Sequence, residues 1–328
     1  MQAIQYLRAT SPEHAIQLAQ QGGSKFIGGG TNLIDLVKGD VEQPVRLVDI
    51  NRLGLADFVE LPNDALHIGA LVRNSDAANH PLVRTRYPLL TQALLAGASP
   101  QLRNMATMGG NLMQRTRCPY FTDTAFDSCN KRKPGSGCGA LQGYNRMHAI
   151  LGASDACIAV NPSDMSVALM ALDAVVQVSG PRGARSIPIA DFHRLPGAAP
   201  QFDTVLEPAE LITSIDLPPP AFVRHTAYVK VRDRASYAFA LVSVAAALDM
   251  EGGVVRQARI ALGGVAHKPW RVLRAEALLA GQPLEDERMR QAAALLLDGA
   301  KPFRDNRFKI ELAQRAIVRA LRMAGESA

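Results

Sequence analysis

Four cysteines carry the most specific chemistry in this chain of 328 residues: Cys118, Cys129, Cys138 and Cys157, separated by ten, eight and eighteen residues. No other cysteine occurs, so the clustering points to a common ligand. Two disulfides would satisfy the count, but 48% hydrophobic residues give core enough to fold without them,. Metal-bound cysteines are thiolates, and Arg115, Arg117, Lys131, Arg132 and Lys133 flank these sulfurs, a basic setting that favours the thiolate,. Structural zinc usually draws on C-x2-4-C knuckles, which are absent, whereas a 4Fe-4S cluster can be held by four thiolates from looser loops. A 4Fe-4S cluster is therefore the favoured expectation, with zinc and unliganded buried thiols as the alternatives. Cys157 is the least secure ligand, because Ala156-Cys157-Ile158-Ala159 also reads as a buried strand with cysteine as a small apolar residue,.

Two glycine segments could hold an anion. Lys25-Phe26-Ile27-Gly28-Gly29-Gly30-Thr31-Asn32-Leu33 reads as a strand running through three glycines into a helix start. Glycine lets backbone approach a ligand closely, and the amides that open a helix face negative charge, so a dinucleotide diphosphate fits. The nicotinamide fingerprint would need glycine where Leu33 stands, and no Gly-Lys-Ser/Thr follows as a P-loop demands,. An ordinary tight turn is the plain alternative. Asn104-Met105-Ala106-Thr107-Met108-Gly109-Gly110-Asn111-Leu112 has the same character and could grip one extended cofactor from the other side, though taken alone it is the weaker signal and a plain loop is the favoured reading,. Asp164, after Asn161-Pro162-Ser163, reads as a helix cap,. Lys230, Arg232 and Arg234 alternate along a strand edge, either as a solvated basic face or as an anion contact,. The seven histidines are scattered, with no H-x-x-x-H pair and no G-x-S-x-G elbow, so a zinc or serine hydrolase has no support,.

The elements that must position these residues follow from periodicity. The first fifty residues alternate strand and helix in a βαβαβ rhythm, with Ser11-Pro12-Glu13 opening the first helix and Gly22-Gly23 closing it,. From about Leu61 to Leu217 strands and helices mix less regularly, with a hairpin at Gly180-Pro181-Arg182-Gly183,. Pro218-Pro219-Pro220 is a linker,. Strands over Thr226–Val231, Ala240–Asp249 and Val254–Leu262 follow, then helices over Arg271–Ala280, Glu285–Leu297 and Phe308–Met323,. The fold class is α+β.

Composition excludes several classes. With 20% charged residues the chain is neither coiled coil nor charge-rich and disordered, and its longest apolar run, Ala238 to Leu248, is too short to span a bilayer,. The net charge of +6 is spread along the chain without a basic, aromatic stripe, so nucleic acid is not an expected partner,. The start, MQAIQYLRATSPEH, has no basic n-region or apolar h-region, so no signal peptide of its own is expected,.

KFIGGGTNL at 25–33, QLRNMATMGGNL at 101–112 and RASYAFALVSVAA at 234–246 resemble the FAD-binding medium subunit of the molybdenum hydroxylases, the xanthine dehydrogenase family, over essentially the whole chain. The cysteine segment, which most members lack, is similar to that of the flavin subunits of periplasmic aldehyde oxidoreductases. It is less closely similar to that of 4-hydroxybenzoyl-CoA reductases, and both carry an extra 4Fe-4S cluster. The resemblance implies a two-lobed FAD-binding domain of the vanillyl-alcohol-oxidase type over 1–217, with lobes 1–58 and 59–217 and the cysteine insertion at about 115–160. It implies a C-terminal domain over 221–328 made of a three-stranded antiparallel sheet and a three-helix bundle. It assigns FAD to residues 25–33 with Thr107, Gly110, Asn111, Asp164 and Lys230, and the cluster to Cys118, Cys129, Cys138 and Cys157.

The implied function is electron transfer in a heterotrimeric aldehyde oxidoreductase. A large molybdenum-cofactor subunit oxidises the aldehyde, a small subunit with 2Fe-2S clusters relays electrons, and this chain passes them through FAD to an external acceptor. No substrate acid or base is then expected here, because the cofactor carries the chemistry. The competing expectations are the flavin subunit of a 4-hydroxybenzoyl-CoA reductase-like enzyme and, from another class, a zinc-stabilised nucleotide-binding module. Localisation follows the partner: periplasm by co-export with a signal-bearing subunit, otherwise cytoplasm.

Overall fold

The computed structural model describes residues 3–327. Strands β1 (Gln5–Arg8), β2 (Ser24–Ile27) and β3 (Arg46–Asp49) form a parallel sheet in the order β1-β3-β2. Helices Pro12–Ala19 and Leu33–Lys38 make the crossovers, as the βαβαβ rhythm implies. The first helix starts where its chemistry says it must: Ser11 Oγ accepts from the His14 amide at 3.1 Å, Pro12 fills the first helical position and Glu13 lies in the first turn,.

The second sheet is antiparallel: β4 (Phe58–Glu60), β5 (Leu66–Gly69), β6 (Val175–Gly180), β7 (Gly183–Pro188) and β8 (Leu211–Leu217), in the order β4-β5-β8-β6-β7. The third contains β9 (Thr226–Val231), β10 (Val242–Glu251) and β11 (Val254–Gly263), with two-residue strands β12 (Trp270–Arg271) and β13 (Gln282–Pro283) both pairing with β11. Those two short strands lie within stretches read as helix and loop; the three long strands are the expected ones, with β10 moved two residues along the chain. The turn between β10 and β11 needs two residues at positive φ, which Gly252 (58°) and Gly253 (82°) supply without a Cβ clash,. The stretch around Cys157 forms only an isolated bridge to Ser154, not the strand its apolar residues suggest.

β10 is buried on both faces, which explains its near-continuous apolar run,. Ala245 and Ala247 face the core of the second sheet, while Val242, Val244, Ala246 and Leu248 lie under helices Leu273–Leu279, Asp286–Leu296 and Phe308–Glu326. Helix Asp164–Ala171, all eight residues buried, packs on β10 and β11 of the third sheet and on helices Pro88–Ala96 and Met108–Leu112. A helix buried all round shows no amphipathic stripe, and its first residue is thereby held between domains. No described helix is long and apolar enough to cross a membrane.

Candidate functional site

The two glycine segments are brought into contact. A Cβ at Gly29 would lie 1.9 Å from the Met105 carbonyl oxygen and one at Gly28 would lie 3.3 Å from Thr107 Oγ1, so the first loop is seated directly on the second. The second segment is fixed from below, its Met108 and Gly109 amides donating to Val72 and Ala70 carbonyls at 2.9 and 2.8 Å. Thr107 caps the short helix Met108–Leu112 by accepting from the Gly110 amide at 3.1 Å. Asn32 Oδ1 accepts from the Arg115 amide at 3.1 Å, while its Nδ2 is buried without a partner. An unpaired buried donor beside a glycine loop fits an anionic ligand such as a diphosphate. The residues at the start of the first segment are otherwise engaged: Lys25 pairs with Glu42 at 3.5 Å, Phe26 packs in the first lobe's core, and the Ile27 carbonyl accepts from the Ile50 amide.

Asn111 links this pair to the buried helix, since Ser163 Oγ donates to Asn111 Oδ1 at 2.8 Å. Ser163 also caps that helix, accepting from the Ser166 amide at 3.0 Å. The expectation that Asp164 is the cap is therefore corrected. The preceding residue, Ser163, has the extended backbone a cap requires, and Asp164 is the first residue of the helix,. Asp164 instead accepts from Tyr228 Oη and Lys230 Nζ, each at 2.7 Å. Burial first, and then Asp164, push the Tyr228 phenol well above its ordinary range. Lys230 also donates to the Ala96 carbonyl at 3.1 Å and has a side chain only 5% exposed, so the reading of Lys230 as part of a solvated basic face fails. Its strand is covered by helix Pro88–Ala96, a contact no local pattern announces. Arg234 does stay exposed.

The four cysteines are free thiols and neighbours. Cys129 and Cys138 pair across an antiparallel bridge, Cys138 and Cys157 perturb each other's thiols, and Cys118 lies within electrostatic reach of Cys129 and Cys138. Cys157 pulls the Cys138 thiol down to about 6, aided by the Ala140, Ile158 and Leu141 amides; Cys157 itself is pushed up. Burial pushes Cys118 up to about 12. Among the described residues no three His, Cys, Asp or Glu side chains converge as ligands of a single metal ion, which a tetrahedral zinc site would require,.

The idea that five basic side chains favour the thiolates needs correction. Arg115 is spent on Asp203 (2.8 Å) and Glu42, and Arg132 on the carbonyls of Tyr120, Phe121, Asp123 and Phe126. Arg117 lies over the Phe239 ring. Lys131, ion-paired with Asp203, does act on a sulfur, lowering Cys157 against its other influences. Basic residues next to a cysteine in sequence point wherever a carboxylate or carbonyl offers a better partner, and here backbone amides surround the sulfurs instead.

Sequence reasoning missed His148 and His267. Their Nε2 atoms lie 3.1 Å from Cys118 Sγ and 3.3 Å from Cys157 Sγ, and burial lowers the two imidazoles to about 4 and about 3. Neither shows a motif; their relation to the cysteines exists only in space. It also missed Lys309, fully buried with its Nζ on the His148 and Gly264 carbonyls, its ammonium lowered by burial to about 7. A cavity of about 140 Å³ beside the cysteines is lined by Cys118, His148, Ser163, Asp164, Phe239 and Gly264 among others.

Comparison with known proteins gives a consistent result. Residues 2–220 match the family described as the FAD binding domain in molybdopterin dehydrogenase, and residues 227–324 the CO dehydrogenase flavoprotein C-terminal domain. The chain is 52% identical over 325 residues to the aldehyde oxidoreductase FAD-binding subunit PaoB of Escherichia coli (strain K12), covering 98% of each. It is 29% identical to the glyceraldehyde dehydrogenase medium chain of Sulfolobus acidocaldarius, covering 92% of this chain and 90% of that one. Among solved structures, carbon monoxide dehydrogenase from Hydrogenophaga pseudoflava superposes with a TM-score of 0.77 at 27% identity, covering 98% and 97%. Reconstituted CO dehydrogenase from Oligotropha carboxidovorans gives 0.78 at 25%, covering 100% and 99%.

Proposed function

Since the chain belongs to the FAD-binding medium subunits of the molybdenum hydroxylases, we propose that it is the FAD and 4Fe-4S electron-transfer subunit of a heterotrimeric aldehyde oxidoreductase. In this family the chain is one subunit of an oxidoreductase complex whose catalysis occurs on a partner. In the proposed complex that partner is a large molybdenum-cofactor subunit, and a small subunit with 2Fe-2S clusters delivers electrons that leave through this chain to an external acceptor. Flavin and cluster supply the electron-carrying chemistry when bound. The chain's own residues hold, orient and enclose them.

The observation that carries the reading is that Cys118 and Asp164 line one cavity while the Arg115 amide, three residues before Cys118, donates to Asn32 of the first glycine segment, so the candidate flavin and cysteine sites adjoin. Residues 25–33 would receive the FAD diphosphate, with Asn32 Nδ2 as a waiting donor. Thr107, Gly110 and Asn111 would close the opposite side, and Asp164, braced by Lys230 and Tyr228, would form the polar wall beyond. Four unbridged thiols, with backbone amides around Cys138, suit a 4Fe-4S cluster,. Co-export to the periplasm with a signal-bearing partner goes with this reading, and cell fractionation with that signal intact or deleted tests it.

The experiment is anaerobic purification of the chain with its partners, iron analysis, and visible spectra before and after dithionite. Flavin bands over a broad bleachable absorbance are expected, with four iron atoms per complex beyond those of the small subunit. Flavin without the additional iron would refute the cluster; absence of flavin would refute the whole reading.

A further inference from the structure

We propose that His148 and His267 tune the reduction potential of the cluster, each donating an Nε2–H hydrogen bond to a ligand sulfur: His148 to Cys118 and His267 to Cys157. This rests on the cluster reading above. The two rings reach the sulfurs from different parts of the chain, one within the cysteine insertion and one in the connection between β11 and β12. Both are buried, at 3% and 7% exposure, and in both Nδ1 has no partner.

That pairing fixes the tautomer. A metal-bound thiolate has no proton and only accepts. With the proton on Nε2, each ring donates to sulfur and leaves one bare nitrogen unpaired. With the proton on Nδ1, a buried N–H would go unsatisfied and a nitrogen lone pair would face a sulfur lone pair, which costs on the order of 1–3 kcal/mol for the orphaned donor alone. The backbone that carries each ring is anchored. The His148 carbonyl accepts from Lys309 Nζ at 2.8 Å and Asn306 Nδ2 at 3.2 Å, and beside His267 the Ala266 carbonyl accepts from the Asn161 amide at 2.9 Å.

An N–H dipole aimed at a cluster sulfur stabilises the reduced state, which carries one more negative charge, more than the oxidised state, and so raises the potential. Cys138 receives backbone amides in the same sense. His267, in the connection between β11 and β12, thus brings the C-terminal domain to bear on the cluster.

The test uses the complex purified with its partners and an EPR-monitored redox titration of the 4Fe-4S signal. His148→Phe and His267→Phe keep a ring but remove the donor. Each is expected to lower the potential by roughly the equivalent of a tenfold change in the reduction equilibrium, about 59 mV for one electron. Iron and flavin content are expected to stay at the parent level. His267→Gln and His148→Gln, whose amide N–H reaches the same position, are expected to return the potential towards the parent. Unchanged potentials in both Phe variants at full iron would overturn the inference, as would equal shifts in the Phe and Gln variants, which would indicate packing alone. Should the Phe variants lose iron, pulsed EPR of the parent complex decides. Weak nitrogen and exchangeable-proton couplings support the inference, and the strong coupling of a directly bound imidazole overturns it. Parent complex without the additional iron would instead refute the cluster reading itself, and that is measured before any variant.

Discussion

Replacing Gly29 with alanine tests whether the seat of the first glycine loop on the second is what binds FAD. The added Cβ would stand 1.9 Å from the Met105 carbonyl oxygen and 2.7 Å from its carbon, with the Arg73 guanidinium 3.2 Å away. An ordinary separation is about 3.5 Å, so the loops must part by roughly 1.5 Å at this point. The obstacle is backbone, anchored through the second segment to Val72 and Ala70, and cannot swing aside as a side chain would. Overpacking of this kind costs about 1–3 kcal/mol. If the diphosphate lies across both segments, most of that cost appears in the complex, and FAD affinity falls about 5- to 150-fold. The assay is titration of FAD-depleted complex with FAD, followed by flavin absorbance and fluorescence. Gly22→Ala is the matched control, since nothing lies within 4 Å of its Cβ; its affinity is expected to stay within twofold of the parent. A Gly29→Ala complex that is folded and binds FAD as tightly as the control would refute the argument, because it would mean that the contact between the loops is not part of the cofactor site.

Three further outcomes follow from the geometry. Cys129→Ser is expected to abolish the additional iron while FAD remains; unchanged iron would remove Cys129 from the ligand set. Asp164→Asn leaves the Lys230 ammonium buried against the Ala96 carbonyl with no carboxylate, and breaking such a pair costs on the order of 3–5 kcal/mol, to be read as a drop in denaturant midpoint; a change below about 1 kcal/mol would show that the pair is not the brace it is taken to be,. Lys309 titrates near 7 in the fold and near its ordinary 10.5 when unfolded, so the unfolded chain binds the extra proton between those values. Its penalty is therefore full below about pH 7 and is relieved as pH rises from 7 towards 10.5. Lys309→Met should flatten that rise in stability, measured by chemical denaturation at pH 7 and pH 9, and parallel pH profiles for variant and parent would count against a neutralised lysine.

The amino-acid sequence by itself determined the local elements and the residue types of the site. Ser11-Pro12-Glu13 starts its helix with no help from afar, and Gly252-Gly253 can only be a tight turn, because capping and positive φ are satisfied within a few residues. Two glycine segments and four clustered cysteines were legible as candidates for ligand-holding chemistry for the same reason: backbone access and soft sulfur donors are properties of residue type. Tertiary structure alone decided how those parts meet. Asp164 and Lys230 lie sixty-six residues apart and are paired only because a buried helix is wedged beside β9. His148 and His267 approach sulfurs thirty and one hundred and ten residues away, and Arg115, adjacent in sequence to the cysteines, turns to Asp203 and Glu42. Charged and aromatic side chains are long and find partners by distance in space. In a buried setting the best available partner wins, and sequence neighbourhood carries no information about which one that is.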